Sequence, residues 1–119
     1  MKYSIPLAAC LILTPPFAAA QQKIPNVGDQ SCVLWTYMAE KSKSDTVWRV
    51  QVAQMDGWSM GYLKGMAVQY AYVSKGPNPL LKLRNNEEVD WMRSFCRGNQ
   101  KSRISDAALA LLGELTSRP

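Results

Sequence analysis

Three glycines spaced four residues apart constrain the fold of this chain more than any other feature. Gly57, Gly61 and Gly65 lie in the stretch from Asp56 to Tyr72, and on a helix this spacing lines them up as one bare groove. Glycine costs about 1 kcal/mol relative to alanine inside a helix, so three in register require a compensating gain. We therefore predict that the stretch belongs to a central helix and that the glycines are packing positions against another backbone of the helical core.

A stripe of bulky side chains runs beside this groove, because Trp58, Tyr62, Met66 and Tyr70 also follow one another in steps of four. A charged residue, Lys64, lies within the same stretch, which argues against the use of the G-x-x-x-G repeat for pairing inside a membrane. The stripe therefore indicates packing in a water-soluble helical domain.

The beginning of the chain indicates export. Lys2 precedes an uncharged apolar run that ends in an A-x-A cleavage site, Ala18–Ala20, before polar sequence begins. The run is short and two prolines interrupt it, which favours a cleaved signal peptide over a membrane span. A lipoprotein box at Cys10 is the alternative, although it comes early in the run. We predict a signal peptide over residues 1–20, cleaved after Ala20, and a periplasmic or secreted mature protein with no transmembrane span.

Removal of the signal peptide from the 119-residue chain leaves 99 residues, the size of one small domain. Thirteen lysines and arginines then face nine acidic residues, since Lys2 is lost. Two cysteines remain, Cys32 and Cys96, and an even pair in an exported chain indicates a disulfide. In the chain-entropy model a disulfide that closes a loop of this length contributes about 4 kcal/mol to the free energy of unfolding. This is a large part of the total stability of so short a domain.

Apolar residues at helical spacing predict a first helix from about residue 31 to Lys43. Residues 21–30 before it are interpreted as a mobile polar lead-in. The alternating run Trp48–Val52 is interpreted as the run-in to the central helix, because no second strand pattern exists to pair with it. The central helix is predicted to end near Val73.

A break rich in proline and glycine at residues 74–79 separates the central helix from the last third of the chain. Asn85 with Glu88 then fits a capping box for a third helix, and Ser105 is interpreted as the cap of a fourth. The sequence therefore predicts an all-α fold: a small four-helix domain over residues 31–119, with one disulfide linking helix 1 and helix 3.

The sequence contains few residues that could carry out catalysis. The chain has no histidine, so the usual general base and the Ser-His and Cys-His pairs are absent. The carboxylates Glu87, Glu88 and Asp90 are interpreted as the solvated first turn of a helix, and Asp56 as a helix cap rather than an acid catalyst. Two cysteines alone do not form a metal site. We predict a non-enzymatic protein without catalytic residues, metal or cofactor.

Four bases between Arg93 and Arg103 lie near Trp91 and Phe95. Basic residues with aromatic neighbours can bind nucleic acid. An exported protein, however, meets lipid head groups, peptidoglycan or acidic proteins instead. We predict no nucleic-acid partner and interpret the cluster as a solvated basic face.

Four short motifs spread over most of the mature chain carry a resemblance to a known family. They are Cys32-x-x-Trp35, Gly61-Tyr62-x-x-Gly65, Trp91-x-x-x-x-Cys96-Arg97-x-Asn99 and Ile104-x-Asp106-Ala107. This arrangement resembles small exported bacterial helical proteins of the HdeA/HdeB acid-chaperone type. The resemblance implies a periplasmic helical domain with one disulfide, often a homodimer, that binds unfolded clients after exposure to acid. The chain departs from the family in the longer, proline-containing segment between its cysteines.

The glycine motif followed by a late Ala/Leu-rich helix is also similar to immunity proteins that neutralise effectors of type VI secretion, which are protein binders too. Our first hypothesis is an acid-stress chaperone-like protein that acts by protein contact on unfolded clients. The alternatives are an immunity or inhibitor protein for one secreted effector, and an envelope accessory factor. The predicted client or partner surface consists of Trp35, Trp58, Tyr62, Met66 and Trp91.

Overall fold

The computed structural model describes residues 27–85 and 87–119, and this part of the chain contains four α-helices. They are α1 (Cys32–Lys41), α2 (Thr46–Ser74), α3 (Glu87–Gly98) and α4 (Ile104–Ser117). Two short 3-10 turns, Val27–Asp29 and Pro79–Lys82, precede α1 and α3. The described residues form no β-strand, only an isolated bridge between Ser31 and Arg103. The prediction of an all-α fold with four helices is confirmed.

Several predictions made for the beginning of the chain lie outside the described residues. They are the signal peptide over residues 1–20, its cleavage after Ala20, the alternative at Cys10 and the lead-in over residues 21–26. The last residues of the predicted lead-in are ordered against the domain: Gly28 is buried, and the Gln30 carbonyl accepts a hydrogen bond from the Ile104 amide at 3.0 Å. The helical domain therefore begins before the boundary at residue 31 that the sequence suggested.

The long helix α2 begins where the Asp45 side chain accepts a hydrogen bond from the Val47 amide at 2.8 Å. This acceptor satisfies one of the amides that a helix start leaves unpaired. The helix ends at Ser74, because Lys75 adopts a left-handed conformation with φ of 52°. The alternating run Trp48–Val52 lies inside α2, so its interpretation as helix rather than strand is confirmed.

A disulfide joins Cys32, the first residue of α1, to Cys96 in the last turn of α3. Both cysteines are buried, and the Cys32 amide donates a hydrogen bond to the Ser102 carbonyl at 2.8 Å. The predicted bridge between helix 1 and helix 3 is confirmed. Since the cysteines are 64 residues apart, the chain-entropy model assigns the bridge about 4 kcal/mol.

The core lies between the four helices, each of which packs on two principal neighbours in the ring order α1, α2, α4, α3. α2 contributes a stripe of buried residues at steps of three and four, and α4 contributes a second stripe. The largest fully buried side chains include Trp35, Leu63, Met92, Ile104, Leu111 and Leu115. Trp35 of α1 and Met92 of α3 enter this core beside the disulfide.

Two predicted helix starts are displaced. Ser105 is not the cap of the fourth helix, because α4 already begins at the buried residue Ile104, and Asp106 accepts a hydrogen bond from the Arg103 amide at 2.8 Å. At the start of α3, the Arg84 amide donates a hydrogen bond to the Glu87 carboxylate at 3.0 Å. Both residues of this pair lie one position before the predicted capping pair, Asn85 and Glu88. In both cases a carboxylate of the first turn, rather than the preferred cap residue, pairs with the free amide.

Candidate functional site

One carboxylate in the interior of α2 connects three helices. Asp56 accepts hydrogen bonds from the indole Nε1 of Trp35 on α1 and from Nε of Arg93 on α3, both at 3.1 Å to Oδ1. The Arg93 Nη2 group donates to the other oxygen, Oδ2, so that the contact between the two charged groups is bidentate. The side chains of Asp56 and Arg93 are only 19% and 29% exposed. We call these three residues the Asp56 junction.

The interpretation of Asp56 as a helix cap is therefore wrong, because α2 begins well before it, at Thr46. Asp56 lies four residues after Val52 and seven before Leu63, both buried, so that its carboxylate is on the side of α2 that faces α1 and α3. Bidentate contacts between arginine and carboxylate are among the strongest hydrogen-bonded pairs in proteins, since both groups carry charge. The Asp56 junction thus fixes α2 against the pair of helices that the disulfide already joins.

A cleft of about 150 Å³ lies beside the Asp56 junction, between α1 and α3. Its lining residues are Trp35, Thr36, Ala39, Glu40, Lys43, Arg93, Cys96 and Arg97. Glu40 and Lys43 at its edge form an ion pair at 2.7 Å with both side chains 70% exposed, which contributes little to stability. The lining holds neither a nucleophile beside a base nor a pair of facing carboxylates.

The predicted basic face is divided by the fold. Arg93 points inward to Asp56, and Arg103 lies 3.8 Å from Asp29 and 3.7 Å from Asp106. Arg97 and Lys101 are exposed. The cluster therefore serves in part to hold helices and helix starts together. Within the described residues, no group of three or more His, Cys, Asp or Glu side chains is placed to hold a metal ion.

The structure does not bring the predicted client surface together in the folded state. Trp35 is fully buried, and Met66 is half-buried against the core. Trp58 stacks on Tyr62 with ring centroids 5.0 Å apart and planes 12° apart, and Tyr62 is 36% exposed. Trp91 stacks on Phe95 at 5.9 Å and is half-buried. In the folded state these five side chains therefore form no common surface, and Trp35 is not accessible to a partner.

A different surface of α2 is exposed in the folded state. Gly57, Gly61 and Gly65 face solvent, and a Cβ atom built on any of them would meet no atom within 4 Å. The interpretation of these glycines as packing positions in the core of this chain is therefore wrong. At about 1 kcal/mol each relative to alanine, their helical conformation costs the folded chain about 3 kcal/mol that no internal contact offsets.

Large apolar side chains lie on the same side of α2 as the three glycines, since residues 7, 11 or 18 positions apart on a helix share a face. Val47, Val50, Val68 and Tyr72 are 68%, 55%, 59% and 84% exposed. We call this surface the outer face of α2, and it consists of Val47, Val50, Gly57, Gly61, Gly65, Val68 and Tyr72. No periodicity in the sequence distinguishes it from the buried stripe, because both are apolar.

No model of a known protein family matches the chain, and comparisons with curated proteins and with solved structures find no match either. Among the described residues, no helix combines the length and the apolar character that crossing a membrane requires.

Proposed function

We propose that this protein is exported to the periplasm and acts there, without catalysis, by contact with other proteins, as an acid-stress chaperone-like protein. The observation that carries the proposal is the Asp56 junction. An ionised carboxylate holds α2 to α1 and α3, whereas the disulfide that holds α1 to α3 has no dependence on protonation. The connection of α2 to the other two helices through this junction is therefore electrostatic, whereas the connection of α1 to α3 is covalent.

The charge of the mature chain works in the same direction. Around pH 2–3, below the ordinary range of carboxyl groups at about 4, most of the nine acidic side chains are expected to lose their negative charge. The net charge of the mature chain then moves from +4 towards +13, because thirteen bases remain. Repulsion among these bases loosens the helices. Separation of α2 exposes the client surface, Trp35, Trp58, Tyr62, Met66 and Trp91.

The test is the aggregation of an acid-sensitive periplasmic protein at pH 2–3, followed by light scattering with and without this protein. We expect suppression at equimolar to several-fold excess, and none at neutral pH. Unchanged aggregation, with the protein shown by fluorescence to have opened, would overturn the chaperone function. Export is a separate part of the proposal: the intact mass of the periplasmic form should correspond to a chain that begins at Gln21, and a lipidated product beginning at Cys10 would contradict it.

A second candidate function, a specific binder such as an immunity protein, is favoured by the outer face of α2. This surface is apolar and already exposed in the folded state, so that a partner could dock without any opening. A pull-down from periplasm at pH 7 and pH 3 separates the two functions: one partner at neutral pH supports the specific binder, whereas many partners only in acid support the chaperone. We also propose that the folded form is a homodimer in which a second copy covers this face, so that a specific partner would compete with the second copy for it.

A further inference from the structure

The outer face of α2 is unusual among the surfaces of this chain in being long, apolar and nearly free of charge. α2 carries most of the large apolar side chains that the described residues expose, among them Val47, Val50, Val68 and Tyr72. In the whole of α2 the only charged residues are Arg49, Asp56 and Lys64, and Asp56 is engaged in its junction. A surface of this kind is the type that becomes covered by another protein.

Five of the seven residues of the outer face are placed symmetrically about Gly61, whereas Val47 and Val68 would meet Lys75 and Gln54 of a second copy. Gly57 and Gly65 lie four residues to either side of it, and Val50 and Tyr72 lie eleven residues to either side. If two copies of α2 lie antiparallel with a two-fold axis at Gly61, Gly61 meets Gly61, Gly57 meets Gly65, and Val50 meets Tyr72 of the second copy. The face is then complementary to itself, as the interface of a two-fold symmetric dimer has to be.

The size of the side chains fits this arrangement as well. Three glycines at the centre let two helix axes approach to the short end of the usual range of about 8–10 Å. The larger side chains at the two ends of the face can also pack at this distance, because Tyr72 of one copy contacts the smaller Val50 of the other. A parallel arrangement would instead place Tyr72 against Tyr72. These two large side chains would increase the distance between the helix axes and prevent close contact between the glycines.

Charge also favours the antiparallel arrangement. A parallel pair in register would bring Lys75 next to Lys75, and it would align the two helix dipoles. In the antiparallel pair Lys75 instead lies beside Val47 at the apolar end of the other copy. The like charges are then separated by the length of the helix.

The area available is sufficient for a weak dimer. The segment Val47–Tyr72 spans about 39 Å at 1.5 Å per residue, and a helix is about 10 Å wide. Two such strips bury about 800 Å² in total, which is below the area of standard specific interfaces, so that association should be weak and should depend on protein concentration in the micromolar range.

We propose that two copies of this protein associate through the outer face of α2, antiparallel, with the two-fold axis at Gly61. The inference rests on the proposed homodimer and specifies its interface. It assigns the three glycines the contact that they lack within the chain.

Sedimentation of the mature protein across micromolar concentrations tests the association at neutral pH. We expect a monomer–dimer equilibrium that Gly61→Leu weakens at least tenfold, because the leucine side chains meet at the axis. The matched control is Gly113→Leu on α4, which is equally exposed with no atom within 4 Å and lies away from the outer face. Thermal melts of both variants show whether the fold survives, and Gly57→Leu provides a second variant if Gly61→Leu does not fold.

Cross-linking tests the orientation. Val50→Cys and Tyr72→Cys proteins are treated separately and as a mixture with a short bismaleimide, which reacts with the new thiols and spares the native disulfide. The antiparallel arrangement predicts covalent dimers only in the mixture, and Leu109→Cys on α4 should give none. Dimers from each variant alone would overturn the antiparallel register. A dimer unaffected by Gly61→Leu would overturn this interface alone, whereas a protein that stays monomeric at 100 micromolar would overturn the homodimer itself.

Discussion

Replacement of Asp56 by asparagine should destabilise the folded state by about 2 kcal/mol. The aspartate accepts three hydrogen bonds, two of them from a cation, and bonds to charged groups contribute about 1.5–3 kcal/mol each when buried. Asparagine keeps one oxygen, which can still accept from Trp35 or Arg93, and loses the charge. Because the Arg93 side chain is 29% exposed, water recovers part of the loss, which places the estimate at the lower end of this range.

The free energy of unfolding is measured by urea titration at neutral pH with the disulfide intact, followed by tryptophan fluorescence. The reference variant is Glu40→Gln, which removes the partner of Lys43 in a pair with both side chains 70% exposed and should cost less than about 0.5 kcal/mol. Combination of Asp56→Asn with Arg93→Met should cost less than the sum of the single changes, since both remove the same contact. If Asp56→Asn is as mild as Glu40→Gln, the Asp56 junction does not hold the helices together.

Three further changes have expected outcomes at other sites. Cys96→Ser should lower the free energy of unfolding by about 2–5 kcal/mol, and titration of the native protein should find no reactive thiol at Cys32 or Cys96. Gly61→Ala should raise the stability of the monomer by about 0.5–1 kcal/mol at concentrations too low for association, because the position is open; a loss would contradict its exposure. Asp106→Ala should cost about 1 kcal/mol through the unpaired Arg103 amide, whereas Ser105→Ala should be nearly neutral in the same melts.

The number of helices and the disulfide could be predicted from the sequence, because both depend on local or compositional signals. Apolar spacing and a break at residues 74–79 separate α2 from α3, and Cys32 and Cys96 are the two cysteines that lie outside the predicted signal peptide, which leaves one pairing. The exact helix starts could not be predicted. At α4, Ser105 satisfies the capping preference as a residue type, yet burial of Ile104 moves the start one residue earlier and makes Asp106 the acceptor. Where two neighbouring residues have a similar preference for the helix N-terminus, tertiary packing determines at which of them the helix begins.

The Asp56 junction could not be predicted from local patterns, although the sequence holds a signal for it. Trp35 follows Cys32 by three residues and Arg93 precedes Cys96 by three, and residues three apart share a helix face. Because α1 and α3 leave the disulfide in the same direction in the structure, the indole and the guanidinium lie near each other beside it. A carboxylate inside the remaining helix is then the expected partner for both. A disulfide predicted from sequence therefore also predicts which side chains flank it.

The glycines of α2 show the limit of periodicity as a guide to burial. Periodicity fixes how residues are arranged around one helix, and the three glycines do form one bare groove. It does not fix which side of the helix faces the core, because α2 is apolar on more than one side: the buried stripe includes Ser59 and Ala67, while Val50 and Val68 remain exposed. Only the structure shows that the groove faces outward. A chain that functioned as a monomer would gain stability from alanine at all three positions, and so the absence of any internal contact is the physical reason to seek the contact outside the chain.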